Sequence, residues 1–275
     1  MPSVILAVLD HPPAADRLLA AATCLADLIG GARINALLVR TPPEATILPG
    51  DEVLTLRREA EIRAIGASRA AAVKAVFDAW AVTTPLGGTA RWVDVEGLVE
   101  DVVKDWGRRA DWIVVERPAH HDYGTTWHGI RAALFTTDRP VLVVPSTLRG
   151  PFGRRVAIAW RDDRRNDEHT TKAVLAALRC LTRAAQVHLL AGLREGAGAP
   201  VIPAILSEHD LPVELHVLPI GTGAFGAALL AEAHRLGADM LVIGAYVHHP
   251  LHGWLLGGVT RYVLAHADLP VLMRH

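Results

Sequence analysis

Two stretches of this chain read almost alike: ADWIVVERPAHH at residues 110–121 and ADMLVIGAYVHH at residues 238–249. In both, Ala and Asp lead into a short apolar run that ends near a pair of histidines. Self-similarity at this spacing marks a chain built from two copies of one unit. Each stretch is followed by a helical pattern and then by a proline-led strand, DRPVLVV at 138–144 and DLPVLM at 268–273. Upstream, SVILAVLD (3–10) and RRVAIAWRD (154–162) are both short and apolar, and each passes through a polar loop into an alanine-rich helix. The joint falls at STLRGPFGRR (146–155), where Pro and Gly interrupt the pattern. The expected domains are therefore 1–147 and 153–275, with a linker at about 148–152.

Within each half the predicted order is the same. Strand one leads to a helix (about 14–29 and 167–184), then strand two (INALLV, VHLLAG) and strand three (ARWVDV, VELHVLP). A helix at about 97–108 or 223–236 precedes strand four, which leads through a loop to a last helix and strand five. The strands read as continuous apolar runs rather than alternating ones, as expected of a parallel sheet covered by helices on both faces. The fold class is thus α/β, with two tandem doubly wound parallel-sheet domains. In such sheets ligands sit beyond the carboxyl ends of the strands, which directs attention to the loops after strands one and four. The first half also carries an insertion (41–84) whose helical part, Glu52 to Trp80, spaces Leu54, Ile62, Ile65, Val73, Val76 and Phe77 as an apolar stripe. It is expected to act as a lid or packing helix.

The chain has 275 residues, 51% of them hydrophobic, enough for a substantial core. Its 28 basic and 29 acidic residues nearly cancel, so no overall field attracts nucleic acid or anionic lipid, and neither is an expected partner. The apolar stretches are too short to span a bilayer, and the opening MPSVILAVLD lacks the layout of a signal peptide. A soluble cytoplasmic protein is expected. Cys24 and Cys180, each within a helical pattern and at no metal-ligand spacing, read as small buried apolar residues.

The segment LVIGAYVHHPLHGWLLGGVTRYVLAHADLPVLM (241–273) resembles the universal stress protein family, and the whole chain looks like its tandem form. The helix and strand ending, with His266, Pro270, Val271 and Leu272, matches well. In ATP-binding members this segment reads glycine, two residues, glycine, nine residues, glycine, then serine or threonine. The resemblance places Gly244 at the first glycine and Gly257 at the third, but Val247 at the second and Gly258 where the hydroxyl belongs. Glycines let the backbone approach phosphate closely and helix-start amides supply donors, whereas a β-branched residue puts methyls in the way. Gly258 keeps its N–H, and Val259 and Thr260 follow it, the latter with a hydroxyl. The family's acidic residue after strand one is kept as Asp10 in the first half and replaced by Arg161 in the second. Glu116 stands where the first half would need glycine, and its carboxylate repels a triphosphate. The resemblance further implies that the last strands, 141–144 and 271–273, pair within the chain, making an internal pseudo-dimer. Association of two chains into a homodimer stays open.

Several other residues invite chemistry. His248, His249 and His252 cluster in sequence, echoed by His120, His121 and His128, but no Cys or carboxylate stands at ligand spacing beside 248–252. Surface loop histidines are the expectation, and no metal site is assigned. In RDDRRNDEH (161–169) the acidic residues suit a capped helix start, with Asn166 or Asp167 as N-cap, better than a catalytic carboxylate pair. IGTGAFGAALLAEA (220–233) has Gly221, Gly223 and Gly226 in a G-x-G-x-x-G pattern, yet it follows strand three and lacks the later acidic residue of a dinucleotide site. It reads as a turn into a helix. Trp160, at a strand end, offers a flat surface to a base or to the core.

No triad, activated cysteine or P-loop lysine is present, so no enzyme is expected. The leading expectation is a non-enzymatic stress-response protein with a partly degenerate pocket in the second domain. Its candidate ligand residues are Gly244, Val247, Gly257, Gly258, Val259, Thr260, Arg161 and Trp160, with Asp10 in the first half. The residues fix no cofactor; ATP or another adenine nucleotide is the candidate. Two alternatives remain open: a weak ATP-binding hydrolase or nucleotide-dependent switch, and a purely structural assembly module.

Overall fold

Ser3–Leu9 forms β1, whose side chains alternate between two apolar layers: Ile5, Ala7 and Leu9 face one, Leu6 the other. Two residues past the strand His11 caps α1 (Pro12–Leu28), its Nδ1 accepting from the Ala14 amide, while prolines occupy the first helical positions. The first half continues with β2 (Ala32–Arg40), α2 (Leu56–Thr83), β3 (Arg91–Glu96), α3 (Val99–Gly107), β4 (Trp112–Glu116), α4 (Thr125–Thr136) and β5 (Val141–Val144). The second half comprises β6 (Arg155–Trp160), α5 (Asp167–Leu181), β7 (Gln186–Leu193), the short α6 (Ala204–Ser207), β8 (Val213–Pro219), α7 (Phe225–Arg235), β9 (Met240–Gly244), the hairpin β10 (Val247–His248) and β11 (Leu255–Leu256), α8 (Gly258–His266) and β12 (Val271–Arg274). The computed structural model describes residues 2–46, 55–118, 125–160, 167–196, 198–221, 224–245, 247–248 and 255–275.

All the long strands join one sheet in the order β3-β2-β1-β4-β5-β12-β9-β6-β7-β8. Each half runs 3-2-1-4-5 in its own strand count, parallel throughout, and the halves meet where β5 and β12 pair antiparallel. Val143 lies opposite Val271 and Leu142 opposite Leu272, all buried, so the internal pairing expected of the last strands is present. Helices α1, α2 and α5 cover one face and α3, α4, α7 and α8 the other, which is why the strands need no polar side. No helix among the described residues is long and apolar enough to cross a membrane.

The repeated Ala-Asp has a structural cause. Asp111 Oδ2 accepts from the Val4 amide at 2.8 Å, at the start of β1. In the second half Asp239 accepts from the amides of Gly153 (2.8 Å), Arg154 (3.2 Å) and Arg155 (3.1 Å), at the start of β6. Gly153 has φ +89°, and a Cβ there would sit 2.5 Å from Leu28 Cδ1, so only glycine lets the connecting segment turn beneath α1.

The expected stripe on α2 needs one correction. Val73 and Phe77 are buried and Val76 partly so, but Ile65 is 67% exposed. The described helix begins at Leu56, and Glu52 and Leu54 fall outside the described residues. Leu56 in its first turn is also exposed, and Arg57, Arg58 and Arg63 pair there with Glu59, Glu61 and Glu96. The remaining turns pack: Phe77 meets the Trp80 and Trp92 rings at 5.7 and 5.5 Å, and Trp80 Nε1 donates to Thr23 on α1.

Candidate ligand-binding site

In the second half strand order reverses between β6 and β9, which are neighbours although β6 continues in sequence to β7 on its other side. Beyond the carboxyl ends of these strands lies a cavity of about 170 Å³, lined by Ala159, Trp160, Thr170, Gly192, Arg194, Ile220, Phe225, Ile243 and Val259. The location is where an open α/β sheet leaves room for a ligand. Its walls are mostly apolar. Its volume resembles that of a roughly 150 Å³ apolar cavity able to admit a benzene ring, so a flat ring system fits within it.

Each wall follows from local sequence. Trp160 ends β6, 7% exposed, and its indole closes the side toward α5. Gly192 leaves β7 thin where Ile220 and Phe225 crowd in; a Cβ would lie 2.9 Å from both side chains. Val259 and Thr260 sit in the first turn of α8, whose N-cap Gly257 offers no side chain to the helix-start amides. Thr260 is buried, and its hydroxyl has no hydrogen-bond partner among the described residues. A Cβ on Gly258 would meet nothing within 4 Å among the described residues. Amides and dipole together suit an anionic group at the cavity's edge.

Of the residues expected from sequence, Trp160 and Val259 line the cavity and Thr260, Gly257 and Gly258 stand at the helix start beside Val259. Gly244 has a packing reason: a Cβ would fall 2.9 Å from the backbone of His169 and Thr170, so its absence lets α5 approach β9. Arg161 and the acidic residues to Asn166 lie outside the described residues, as do the side chains of Val247 and His248 and all of 249–254. Gly226 in the glycine-rich stretch packs against Tyr262, where a Cβ would sit 2.8 Å from Tyr262 Cβ, which gives it a role between α7 and α8. Arg194, just past β7, escaped the sequence reading; it is exposed, lines the cavity and has no ion-pair partner among the described residues. Only its place directly after strand two could have drawn attention to it.

The switch-point crevice of the first half is much smaller. Its cavity is about 30 Å³, room for roughly one water. Asp10 is tied to Arg69 from α2, which also donates to the Val39 carbonyl at 3.0 Å. Glu116 is held by Arg17 (2.6 Å) and by His11 Nε2 (3.1 Å). The carboxylates that face a ligand in an open site are here satisfied by the protein's own cations.

These features define a doubly wound α/β protein with one open switch-point cavity and one filled one. Residues 157–275 match the model of the Universal stress protein family, so this half of the chain is similar to that family. Across its whole length the chain is similar to a universal stress protein from Archaeoglobus fulgidus: 14% identity, 99% of this chain and 96% of that one covered, TM-score 0.66. It is also similar to a protein from Pseudomonas aeruginosa described as a putative universal stress protein: 13% identity, 99% and 93% covered, TM-score 0.60. A third likeness, at 12% identity and TM-score 0.51 over 99% and 95%, is to the cytoplasmic domain of a prokaryotic cation chloride cotransporter. At identities this low, the structural likenesses establish the shared fold alone. No curated protein matches the sequence.

Proposed function

We propose that this protein is a non-enzymatic, cytoplasmic stress-response protein that binds a small adenine-containing ligand in its second half. The observation that carries the reading is the difference between the halves. One switch-point crevice is an apolar slot bounded by Trp160, Phe225 and Val259, and the other is filled by the Asp10–Arg69 pair. A purine ring matches the slot in shape, and Arg194 with the α8 amides stands where a phosphate would follow. Gly258 itself supplies no hydroxyl beside these amides, so the phosphate grip is expected to be weaker than in a relative with serine or threonine there.

The test is calorimetry on the whole chain with adenosine, AMP and ATP. All three should bind, with dissociation constants within about tenfold of one another, a span of about 1.4 kcal/mol. ATP binding a hundredfold tighter than adenosine would show a fully competent phosphate grip. Absence of binding by any of the three at millimolar concentration would remove the ligand from the proposal and leave the assembly reading.

A further inference from the structure

Away from the cavity, three side chains converge on the edge of the second half. His188 on β7 and Glu214 and His216 on β8 project from the sheet face covered by α7. His188 Nδ1 lies 3.1 Å from His216 Nε2, and Glu214 Oε2 lies 3.6 Å from each of these nitrogens. Register produces the cluster: His188 stands beside Glu214 in the parallel ladder, and Glu214 and His216, two apart on one strand, share a face. The His188 side chain is 2% exposed and Glu214 58%, so the group opens to solvent through the carboxylate.

We infer that His188, Glu214 and His216 form a binding site for a divalent transition metal of the zinc class. The geometry carries the inference. A triangle with edges of 3.1, 3.6 and 3.6 Å has a circumradius of about 2.0 Å, which is the bond length zinc takes to imidazole nitrogen and carboxylate oxygen. An ion thus fits all three atoms as they stand, close to their plane, with a further coordination position open to water. Two imidazoles and one carboxylate select zinc, cobalt or nickel over magnesium and calcium, which require oxygen ligands. Bound there, the ion ties the edge strand β8 to β7. Glu232 on α7, clamped by Arg235, lies 3.9 Å behind His216 Nδ1, near enough for its charge to favour the ring but beyond hydrogen-bond reach.

Without metal the two imidazoles can share one hydrogen bond, and that polar contact is the competing account. It also limits affinity. Ligation through Nδ1 moves the remaining His188 proton to Nε2, a buried atom with no hydrogen-bond partner among the described residues. A missing outer partner of this kind weakens metal binding by about 10- to 100-fold. The site is therefore expected to be weaker than a four-ligand structural zinc site.

The experiment uses the untagged full chain, stripped with a chelator and titrated with Zn²⁺ against a competing indicator, with Co²⁺ as a spectroscopic probe. One Zn²⁺ per chain should bind, and Co²⁺ should give a visible absorption of low-coordinate type. Glu214→Gln, at an exposed position, and His216→Gln should each weaken Zn²⁺ by at least tenfold, while His248→Ala/His249→Ala/His252→Ala leaves it unchanged. Circular dichroism confirms that the variants fold, and the Co²⁺ spectrum of the unaltered protein stands if one does not. No Zn²⁺ binding at millimolar concentration, or the absence of the Co²⁺ band, overturns the site. So does affinity that survives Glu214→Gln and His216→Gln, or that disappears with the loop histidines.

Discussion

Arg69, halfway along α2, reaches across the carboxyl edge of the first sheet to pair with Asp10 at the end of β1. This contact turns the insertion between β2 and β3 into a plug. Both partners are about 30% exposed, so the ion pair by itself adds under about 1 kcal/mol; the Arg69 bond to the Val39 carbonyl adds about 1 kcal/mol more. Arg69→Ala should therefore lower unfolding free energy by about 1–2 kcal/mol in urea titrations. Asp10→Asn should lose less, because the carbonyl contact survives. Equal losses would show that Asp10, not the clamp, is what matters.

The two Asp residues of the repeat predict unequal effects. Asp239 accepts from three amides and Asp111 from one. Hydrogen bonds to a charged acceptor contribute about 1.5–3 kcal/mol where well made, less in the open. Asp239→Ala is expected to destabilise by about 2–3 kcal/mol and Asp111→Ala by about 1 kcal/mol, read by denaturant midpoints. A larger loss at Asp111 would contradict this account.

That repeat also shows what the sequence could convey. The order of strands and helices was legible because each strand is a local apolar run and each helix a local period. The β5–β12 pairing was legible only through a family resemblance, since nothing in VLVV or VLM names its partner. Ile65 was misread because periodicity does not reveal where the underlying sheet ends. His188, Glu214 and His216 were missed for a related reason: their ligand atoms meet through strand register, with 25 residues intervening between His188 and Glu214. The Glu-x-His spacing on a predicted strand was the one available signal. Arg194 lacked even that, being a lone cation after a strand.

Cys180 provides a pH test. Burial pushes its thiol up from an ordinary value of 9.0 to about 12. The unfolded chain therefore releases this proton first as pH rises, so its contribution to stability is complete below pH 9.0 and is lost between there and about 12. Unfolding free energy should fall across that alkaline window, and Cys180→Ala should flatten part of the fall. At pH 8 the folded protein should also leave Cys180 unreacted with a thiol-exchanging reagent. Rapid labelling of Cys180 without unfolding would remove the premise.

Two glycines at the second-half site should respond in opposite ways. At Gly244 an added Cβ meets backbone atoms of His169 and Thr170 at 2.9 Å, which cannot swing aside as a side chain can. Gly244→Ala should destabilise by about 1–3 kcal/mol, the usual range for overpacking. At Gly258, at the start of α8, the added carbon meets no described atom within 4 Å, so Gly258→Ala should be neutral or stabilising by up to about 1 kcal/mol. Thermal melts of both variants, with circular dichroism as the readout, check the pair. If the two variants melt alike, the close approach of α5 to β9 is not the reason Gly244 is needed.

Gly258 also allows the phosphate grip to be rebuilt. The resemblance to ATP-binding relatives puts a hydroxyl at this position, and a Cβ added to Gly258 meets no described atom within 4 Å. A serine there adds one donor beside amides that carry no side-chain cap. A hydrogen bond to a charged oxygen contributes about 1.5–3 kcal/mol, so Gly258→Ser should tighten AMP and ATP by tenfold or more. Adenosine, which has no phosphate, should bind as before. Calorimetry with the three ligands separates the outcomes: a gain confined to the phosphorylated pair places their phosphates before α8, whereas an equal gain for adenosine would mean that serine had altered the ring slot instead.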